Sequence, residues 1–433
     1  MGVSSRPHLT TFKQESALPA TGEAVRKLRV VFVNTHPIQY FAPLYAYLNR
    51  TAEFEVTALY LSDFSVRGYL DRAFGQAVKW DIDLLSGYDA RFIKGAGLRN
   101  EPAGFFSIIA PQIWREVSRG GFDALVVHGH TPAAALIAVA AARWAGLPVF
   151  ARGETHLGLS RGLLKRLVRK PVISAFYRSL SGVLAIGSAN AAFYRAIGMP
   201  EERIFSMPYT VDNARFIEGS RLSDEQRKKV RAELGVADAD PIVLYAAKLQ
   251  ARKHPDDLLR AARLLQNRGI RFHVVMVGSG EMTAELVNLT ARLGLENVHF
   301  HGFANQKVLP QIYGAADVFV LPSENEPWGL GVNEAMCAGL PIVASAEVGC
   351  VPDLLHAQVN GQTFAAGDVE GLTNALQPIL ADAETRQRMG AASHDIISRW
   401  SYAECASGLH AALAGCGVAH GRQAGRAGSS GKC

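Results

Sequence analysis

Two glutamates separated by seven residues mark the segment of the chain that is richest in residues suited to chemistry. Glu326 and Glu334 flank a turn that contains Gly329 and Gly331. Glycine lets a backbone approach a ligand closely, and the N–H groups at the start of a helix bind anions such as a diphosphate. Carboxylates beside them can accept hydrogen bonds from sugar hydroxyls. The pattern predicts a site for a phosphorylated, hydroxyl-rich ligand; the alternative is an ordinary helix start, where glutamates favour the dipole.

Further candidates precede this segment at the ends of two apolar runs. Lys248 and Lys253 follow the run 242–247, and Gly278 closes the run 273–278. Lysines placed there can neutralise the charge of a bound diphosphate. Solvated lysines and a glycine after a strand are common in any protein. These residues are therefore site candidates only in combination with the segment that follows them.

Polar residues also follow three apolar runs in the first half of the chain. They are His36, Gln39 and Tyr40 after 29–34, His128 and His130 after 124–127, and Arg152 and Glu154 after 148–151. Ligands bind beyond the carboxyl ends of parallel strands, so we expect these residues at a ligand site, with His36, Gln39, Tyr40, Arg152 and Glu154 as candidates for binding a second, acceptor substrate. The alternatives are a packed tyrosine turn, a core histidine, and an arginine and a glutamate that pair with each other.

The elements that would position these residues are short apolar runs alternating with helical patterns. One series comprises 29–34, 56–61, 124–128, 148–151 and 183–187, and a second comprises 242–247, 273–278, 298–300, 318–321 and 341–345. Continuously apolar runs are typical of parallel strands buried on both faces. The order predicts an α/β protein with two Rossmann-like domains that face a cleft.

The expected domain boundaries follow from the two series and from composition. We predict a first domain over 26–210, a second over 211–395, and a helix over 396–415 that returns to the first domain. The terminal segments 1–25 and 416–433 have little apolar content, and we expect both to be disordered.

Residues 321–345 resemble the E-x7-E signature region of glycosyltransferase family 4, whose members are retaining enzymes with the GT-B fold and nucleotide-sugar donors. Other segments follow the family's order: 244–259, 276–282, 298–323 and 348–364. The resemblance covers about 240–390. In the first half, 34–45 lacks the usual glycine pair and resembles a subset of the family with a His-Pro-Ile-Gln opening.

The resemblance implies roles for the candidates. By it, Glu326 lies at the donor sugar, Glu334 at the ribose, and Gly278 in the glycine turn beside the nucleotide. The residues around the diphosphate are Lys248, Lys253, Gly329, Leu330 and Gly331. His130 is the better match, and His128 the second, for a histidine beside the donor sugar, so Glu326 and His130 are the expected catalytic residues. The family usually has arginine at position 248, and the lysine found here lacks the bidentate guanidinium fork.

The formal net charge of +6 is unevenly divided. Residues 1–210 hold 24 Lys+Arg and 15 Asp+Glu, whereas residues 211–433 hold 21 and 24. The stretch 155–200 contains seven Lys+Arg and no Asp or Glu. A basic amphipathic helix over 161–178 can lie on an anionic membrane, where a lipid-linked acceptor would be found; the alternative is a solvated helix face. Nucleic acid is not expected, because no aromatic platform accompanies the charge.

Composition narrows the function further. Five cysteines without a C-x-x-C pair, and a start without an apolar core, predict a reduced cytoplasmic protein, peripheral at the membrane if 161–178 binds lipid. The Asp-x-Asp at 81–83 stands outside a strand-end context, so we expect no metal and no cofactor beyond the nucleotide-sugar co-substrate. The acceptor is expected to be a glycan or a lipid-linked molecule.

Three alternatives to a transferase stay open. The chain could be a noncatalytic nucleotide-sugar-binding subunit, which the presence of both Glu326 and Glu334 disfavours. A nucleotide-sugar epimerase or hydrolase of similar fold is a second alternative. A dinucleotide oxidoreductase is the least favoured, since His36–Pro37 follows the first apolar run where G-x-G-x-x-G would stand.

Overall fold

Two parallel sheets, each covered by helices, make up the described part of the chain, as the alternating pattern predicts. The computed structural model describes residues 26–71, 75–93, 108–129, 133–159 and 163–418, and only the backbone of residue 76 and residues 163–170. The segments predicted to be disordered, 1–25 and 416–433, lie outside the described residues apart from 416–418.

The first half of the chain builds a seven-stranded sheet and a small hairpin. Its strands are β1 (Leu28–Asn34), β2 (Phe54–Tyr60), β3 (Tyr69–Asp71), β4 (Gln76–Val78), β5 (Asp89–Phe92), β6 (Ala124–His128), β7 (Val149–Arg152), β8 (Gly182–Ala185) and β9 (Ile204–Ser206). The parallel sheet has the order β5-β2-β1-β6-β7-β8-β9, and β3 pairs with β4 antiparallel. The sequence does not predict β3, β4, β5 and β9, because each is three or four residues long and lacks a longer apolar run.

Helices cover both faces of this sheet. They are α1 (Ala42–Arg50), α2 (Phe64–Arg67), α3 (Gln112–Arg119), α4 (Ala133–Trp144), α5 (Leu163–Arg178) and α6 (Ser188–Ala196). On one face α3, α4 and α6 contribute to an apolar cluster that includes Val31, Leu125 and Ala138. On the other face, α1 packs Tyr45 and Leu48 against Phe32 and Phe150. Because the strands are buried on both sides, their ends are the places where polar side chains can collect.

The second half repeats this plan with a six-stranded parallel sheet. Its strands are β10 (Ile242–Ala246), β11 (His273–Val277), β12 (Val298–Gly302), β13 (Val318–Leu321), β14 (Ile342–Ser345) and β15 (Gly361–Phe364). Their order is β12-β11-β10-β13-β14-β15. The helices of this half are α7 (Asn213–Ser220), α8 (Asp224–Glu233), α9 (Pro255–Asn267), α10 (Thr283–Arg292), α11 (Leu309–Ala315), α12 (Leu330–Cys337), α13 (Val351–Leu354), α14 (Val369–Ala381) and α15 (Ala383–Ser398).

The last helix, α16 (Tyr402–Gly415), packs against β8, β9 and α1 of the first half. Gly408 makes this approach possible, since a Cβ there would lie only 1.7 Å from the carbonyl oxygen of Ser206. The ring of Trp400, just before α16, stacks on Trp328 at 5.7 Å between centroids. The chain therefore crosses between the sheets twice, near residue 210 and near residue 400. Of the helices that the structure describes, none is both long and apolar enough to span a bilayer.

Candidate functional site

The glycine-rich turn between β13 and α12 lies at the edge of the space between the two sheets. Gly329 caps the N-terminus of α12 with a φ of 94°, a left-handed conformation that favours glycine. A Cβ at this position would lie 2.7 Å from Val348 Cγ1, so the packing also requires glycine. No acidic side chain occupies the first turn of α12, which leaves its positive dipole end suited to an anion.

Glu326 precedes this turn and is buried in an ion pair. Its carboxylate contacts Lys253 Nζ and lies 3.5 Å from Arg252 Nη1. The two partners of the pair come from different loops of the second sheet, because Lys253 ends the short 3-10 turn Ala251–Lys253 after β10. Burial lowers the pKa of Lys253, and the charge of Glu326 opposes that shift. From the first half of the chain, His156 Nε2 lies 3.1 Å from the carbonyl oxygen of Glu326.

Glu334 lies in the second turn of α12, and tyrosine hydroxyls bind both of its carboxylate oxygens. Tyr313 donates to Oε2 at 2.8 Å, and Tyr40, which follows β1 in the first half, donates to Oε1 at 3.1 Å. The side chain is buried, and burial raises its pKa to about 7. Hydrogen bonds from both tyrosines and the charge of Arg215 lower the pKa, but desolvation is the larger effect.

Lys248 contacts a carboxylate from the first half of the chain. Its Nζ lies 3.2 Å from Asp71 Oδ1 and 3.1 Å from Oδ2. Asp71 ends β3, so the small hairpin of the first half reaches across to the lysine that the sequence assigns to the diphosphate. The residues after the hairpin cross the same gap. Asn305 Nδ2 donates to the carbonyl oxygen of Lys79 at 2.7 Å, and the N–H of Lys307 donates to the Asp81 carboxylate.

These residues surround a cavity of about 360 Å³ between the two sheets, a volume within the usual range for a small-molecule site. The predicted donor residues Lys248, Gly278, Gly331 and Glu334 line it, together with the predicted acceptor-side residues Gln39 and Tyr40. Aromatic residues not predicted from the sequence complete the wall: Tyr69, Trp80 and Phe303. Four predicted donor residues lie outside this lining: Lys253 on the turn after β10, and Glu326, Gly329 and Leu330 before and at the start of α12.

The remaining acceptor-side candidates are held by packing. The ring of His36 packs against Phe64 at 4.3 Å between centroids, tilted by 46°, and burial lowers its pKa to about 4. Arg152 is buried and donates to the carbonyl oxygen of Pro208 at 2.8 Å, which ties β7 to the crossover segment. Glu154 accepts a hydrogen bond from Tyr209 at 2.7 Å. Neither Arg152 nor Glu154 lines the cavity.

Of the two candidate histidines at the end of β6, the structure describes only His128. His130 lies outside the described residues, so its predicted role stays a prediction. His128 Nε2 lies 2.9 Å from Tyr45 OH, and its ring stacks on Phe41 at 4.3 Å. Burial lowers the pKa of His128 to about 3. These contacts hold the half-buried imidazole in place, and its role beside the donor sugar stays a prediction.

The Asp-x-Asp at 81–83 contributes to turns. Asp81 accepts from the N–H of Lys307 at 3.2 Å, and Asp83 accepts from the N–H groups of Leu85 and Ser86 at 2.9 and 3.1 Å. The carboxylates therefore bind backbone in the described residues.

Comparison with known proteins identifies a family model and several relatives of this chain. Residues 226–395 match the family model for glycosyl transferases group 1. D-inositol 3-phosphate glycosyltransferase of Nocardia farcinica is 33% identical over 220 residues, which are 49% of this chain and 47% of that protein. Sulfoquinovosyl transferase SQD2 of Arabidopsis thaliana is 28% identical over 332 residues, 73% of this chain and 61% of that protein. The chain thus spans less than two thirds of the length of these relatives.

Solved structures match almost the whole chain. HepE of Anabaena in complex with UDP and glucose aligns with a TM-score of 0.67 and 19% identity, covering 89% of this chain and 99% of that one. Sucrose-phosphate synthase of Thermosynechococcus elongatus aligns with a TM-score of 0.64 and 18% identity, covering 89% and 98%. These are GT-B structures, and the predicted GT-B fold is confirmed.

Proposed function

We propose that the protein is a retaining glycosyltransferase that moves a sugar from a nucleotide-diphosphate-sugar to an acceptor hydroxyl. The observation that carries the proposal is the cavity where Lys248, Glu334 and Gly331 meet at the edge of a sheet matched by the group 1 glycosyl transferase model. Binding of UDP and UDP-glucose by HepE, which shares the fold, makes a UDP-sugar the first donor to examine.

The donor would lie along α12 and the loops beside it. Glu334 would accept hydrogen bonds from the ribose, as it now accepts them from Tyr313 and Tyr40. Lys248 and the start of α12 would stabilise the diphosphate. Glu326, which precedes the turn, would hold the donor sugar, with Lys253 fixing the position of its carboxylate.

The proposed reaction breaks the bond between the anomeric carbon and the diphosphate oxygen. The acceptor oxygen bonds to that carbon on the face the diphosphate leaves, its proton passes to the donor phosphate, and the diphosphate departs with the bonding electrons. The residues of this chain then act through charge and position. Cations near the leaving group stabilise it more in the transition state than in the ground state.

The acceptor would approach from the first half of the chain. Gln39 and Tyr40 line the cavity on that side, and His130 stays a proposed catalytic residue. We propose a glycan or lipid-linked acceptor, presented at an anionic membrane on the cytoplasmic side by the basic segment 161–178. Binding to anionic liposomes that is lost when Lys165, Arg166, Arg169 and Lys170 are neutralised would support this surface, and binding independent of anionic lipid would contradict it.

A screen of nucleotide diphosphates and nucleotide sugars by thermal shift tests the donor, since a ligand of the folded state raises stability. Products formed from the best donor with and without acceptors then test the reaction. Transfer with retained anomeric configuration, lost in Glu326→Gln, is the expected result. Donor binding without turnover across an acceptor panel would favour the noncatalytic subunit, and conversion without acceptor would favour an epimerase or hydrolase.

A further inference from the structure

Two residues of the first half, Asp71 and Tyr40, contact the proposed donor-site residues. Asp71 contacts the cation Lys248, and Tyr40 contacts the carboxylate of Glu334. Both oxygens of Asp71 lie within 3.2 Å of Lys248 Nζ. The hydroxyl of Tyr40 donates to Glu334 Oε1 at 3.1 Å. All four residues line the same cavity. The contacts cross the gap between the two sheets, so they exist only while the two halves of the molecule are close.

These two contacts reproduce the chemistry that a nucleoside diphosphate would offer. A phosphate would present an anionic oxygen to Lys248, as Asp71 does. A ribose would present a hydroxyl donor to the Glu334 carboxylate, as Tyr40 does. A lysine that holds two anions gains less from the second, and a carboxylate oxygen already bonded to a phenol must exchange that bond for a ribose bond.

Packing and hydrogen bonds hold Asp71 in this position. Its side chain is 7% exposed, and Tyr69 OH donates to its Oδ2 at 3.2 Å. The ring of Tyr69 packs edge-on against Phe64 at 4.7 Å between centroids. Beyond the hairpin, the bonds from Asn305 to Lys79 and from Lys307 to Asp81 attach the same segment to the second half. The carboxylate is therefore a built part of the cavity wall.

We propose that this closed cleft is self-occupied: Asp71 and Tyr40 compete with the diphosphate and the ribose of the donor for Lys248 and Glu334. The proposal rests on the proposed function, because it assumes a nucleotide donor. It makes Asp71 and Tyr40 determinants of donor affinity. It also couples donor binding to displacement of the hairpin, since the donor must replace contacts that join the two halves.

Two conservative substitutions separate the competing contacts. Asp71→Asn removes the charge and keeps the shape, and Tyr40→Phe removes the hydroxyl. Isothermal titration calorimetry with UDP, GDP and ADP, and with the matching nucleosides, would measure how each substitution changes the Kd of the diphosphate and the Kd of the nucleoside. Asp71→Asn is expected to lower the Kd of the bound nucleoside diphosphate about three- to tenfold and to leave the nucleoside unchanged. Tyr40→Phe is expected to lower both Kd values by the same factor.

Matched controls exclude a general loosening of the cleft. Asp81→Asn weakens another contact across the gap, and Tyr47→Phe removes a hydroxyl from α1 outside the cavity. Neither control should change the ratio of the nucleoside and diphosphate Kd values. Weaker or unchanged diphosphate binding in Asp71→Asn would overturn the proposal and make Asp71 a donor contact or a structural residue. Absence of nucleotide binding in the wild type and all variants would instead refute the proposed donor.

Discussion

Removal of the Glu326 carboxylate is expected to destabilise the protein as well as inactivate it. The side chains of Glu326 and Lys253 are 10% and 11% exposed and form one ion pair. Loss of one partner from a buried pair typically costs about 3–5 kcal/mol, because the other charge stays buried without compensation. At about 2–4 °C per kcal/mol for a domain of this size, Glu326→Ala should lower the melting temperature by roughly 6–20 °C.

A double-mutant cycle measures the contribution of the Glu326–Lys253 ion pair to stability separately from its effect on catalysis. In Glu326→Ala/Lys253→Met the buried ammonium is gone, so most of the lost stability should return, with a coupling of about 2 kcal/mol or more. Arg252 should compensate little, since its side chain is 45% exposed and lies 3.5 Å away. Differential scanning calorimetry of the four proteins measures the coupling. Transfer to an acceptor should be absent in every variant that lacks Glu326.

Two outcomes would refute this reasoning. Stability changes that add within about 0.5 kcal/mol would mean that Glu326 and Lys253 are not energetically coupled. Glu326→Gln, whose amide oxygen can still accept from Lys253, serves as the matched variant for function. Full transfer activity in Glu326→Gln, with the melting temperature kept, would remove Glu326 from the proposed mechanism.

Three further predictions concern the helix turn, the pH dependence and metals. The raised pKa of Glu334, about 7, means that its stabilising contribution is complete below pH 4.5 and is lost as the pH rises through 7. Glu334→Gln should therefore flatten the melting temperature between pH 4.5 and 7, and an unchanged slope would contradict this. In urea unfolding, Gly329→Ala should lower the free energy of unfolding more than Gly367→Ala. Both glycines have positive φ, but only a Cβ at position 329 would meet neighbouring atoms. Equal losses would show that backbone strain alone causes the destabilisation. Transfer should survive EDTA, and full loss restored by a divalent cation would contradict the metal-independent mechanism.

The fold was predictable because many of its strands consist of residue types that are stable only in one kind of environment. The runs 30–33 and 242–247 are apolar at every position, and only a sheet covered on both faces buries such a strand. Helix α8 shows the same agreement between sequence and structure, since Ser223 and Gln226 form a capping box ahead of its basic residues. Local chemistry and the final environment agree at these places.

The cavity was predictable only in part. Lys248, Gly278 and Glu334 follow strands of one sheet, and Gln39 and Tyr40 follow a strand of the other, so their places at the strand ends follow from parallel topology. Asp71 belongs to a hairpin with short, mixed strands and Trp80 follows that hairpin, so their places depend on how far the hairpin reaches across the gap. Tyr313 was not predicted to be a site residue. A tyrosine in an apolar helix is expected to pack in the core unless the hydrogen-bond partner of its hydroxyl is known.

If the proposed donor binds, the charges at the site require a rearrangement of the cleft. The first half of the chain carries the positive excess, yet at the cavity it supplies the carboxylate of Asp71. The second half is net acidic and supplies Lys248 to the cavity and Lys253 to a neighbouring turn, each in contact with a carboxylate. A diphosphate placed beside both pairs would therefore meet nearly balanced charge. Its binding would become favourable once Asp71 withdraws and Lys248 and the start of α12 face the phosphates together. By this proposal, displacement of the hairpin is a step of donor binding, and the contact between Asp71 and Lys248 is part of what that step must replace.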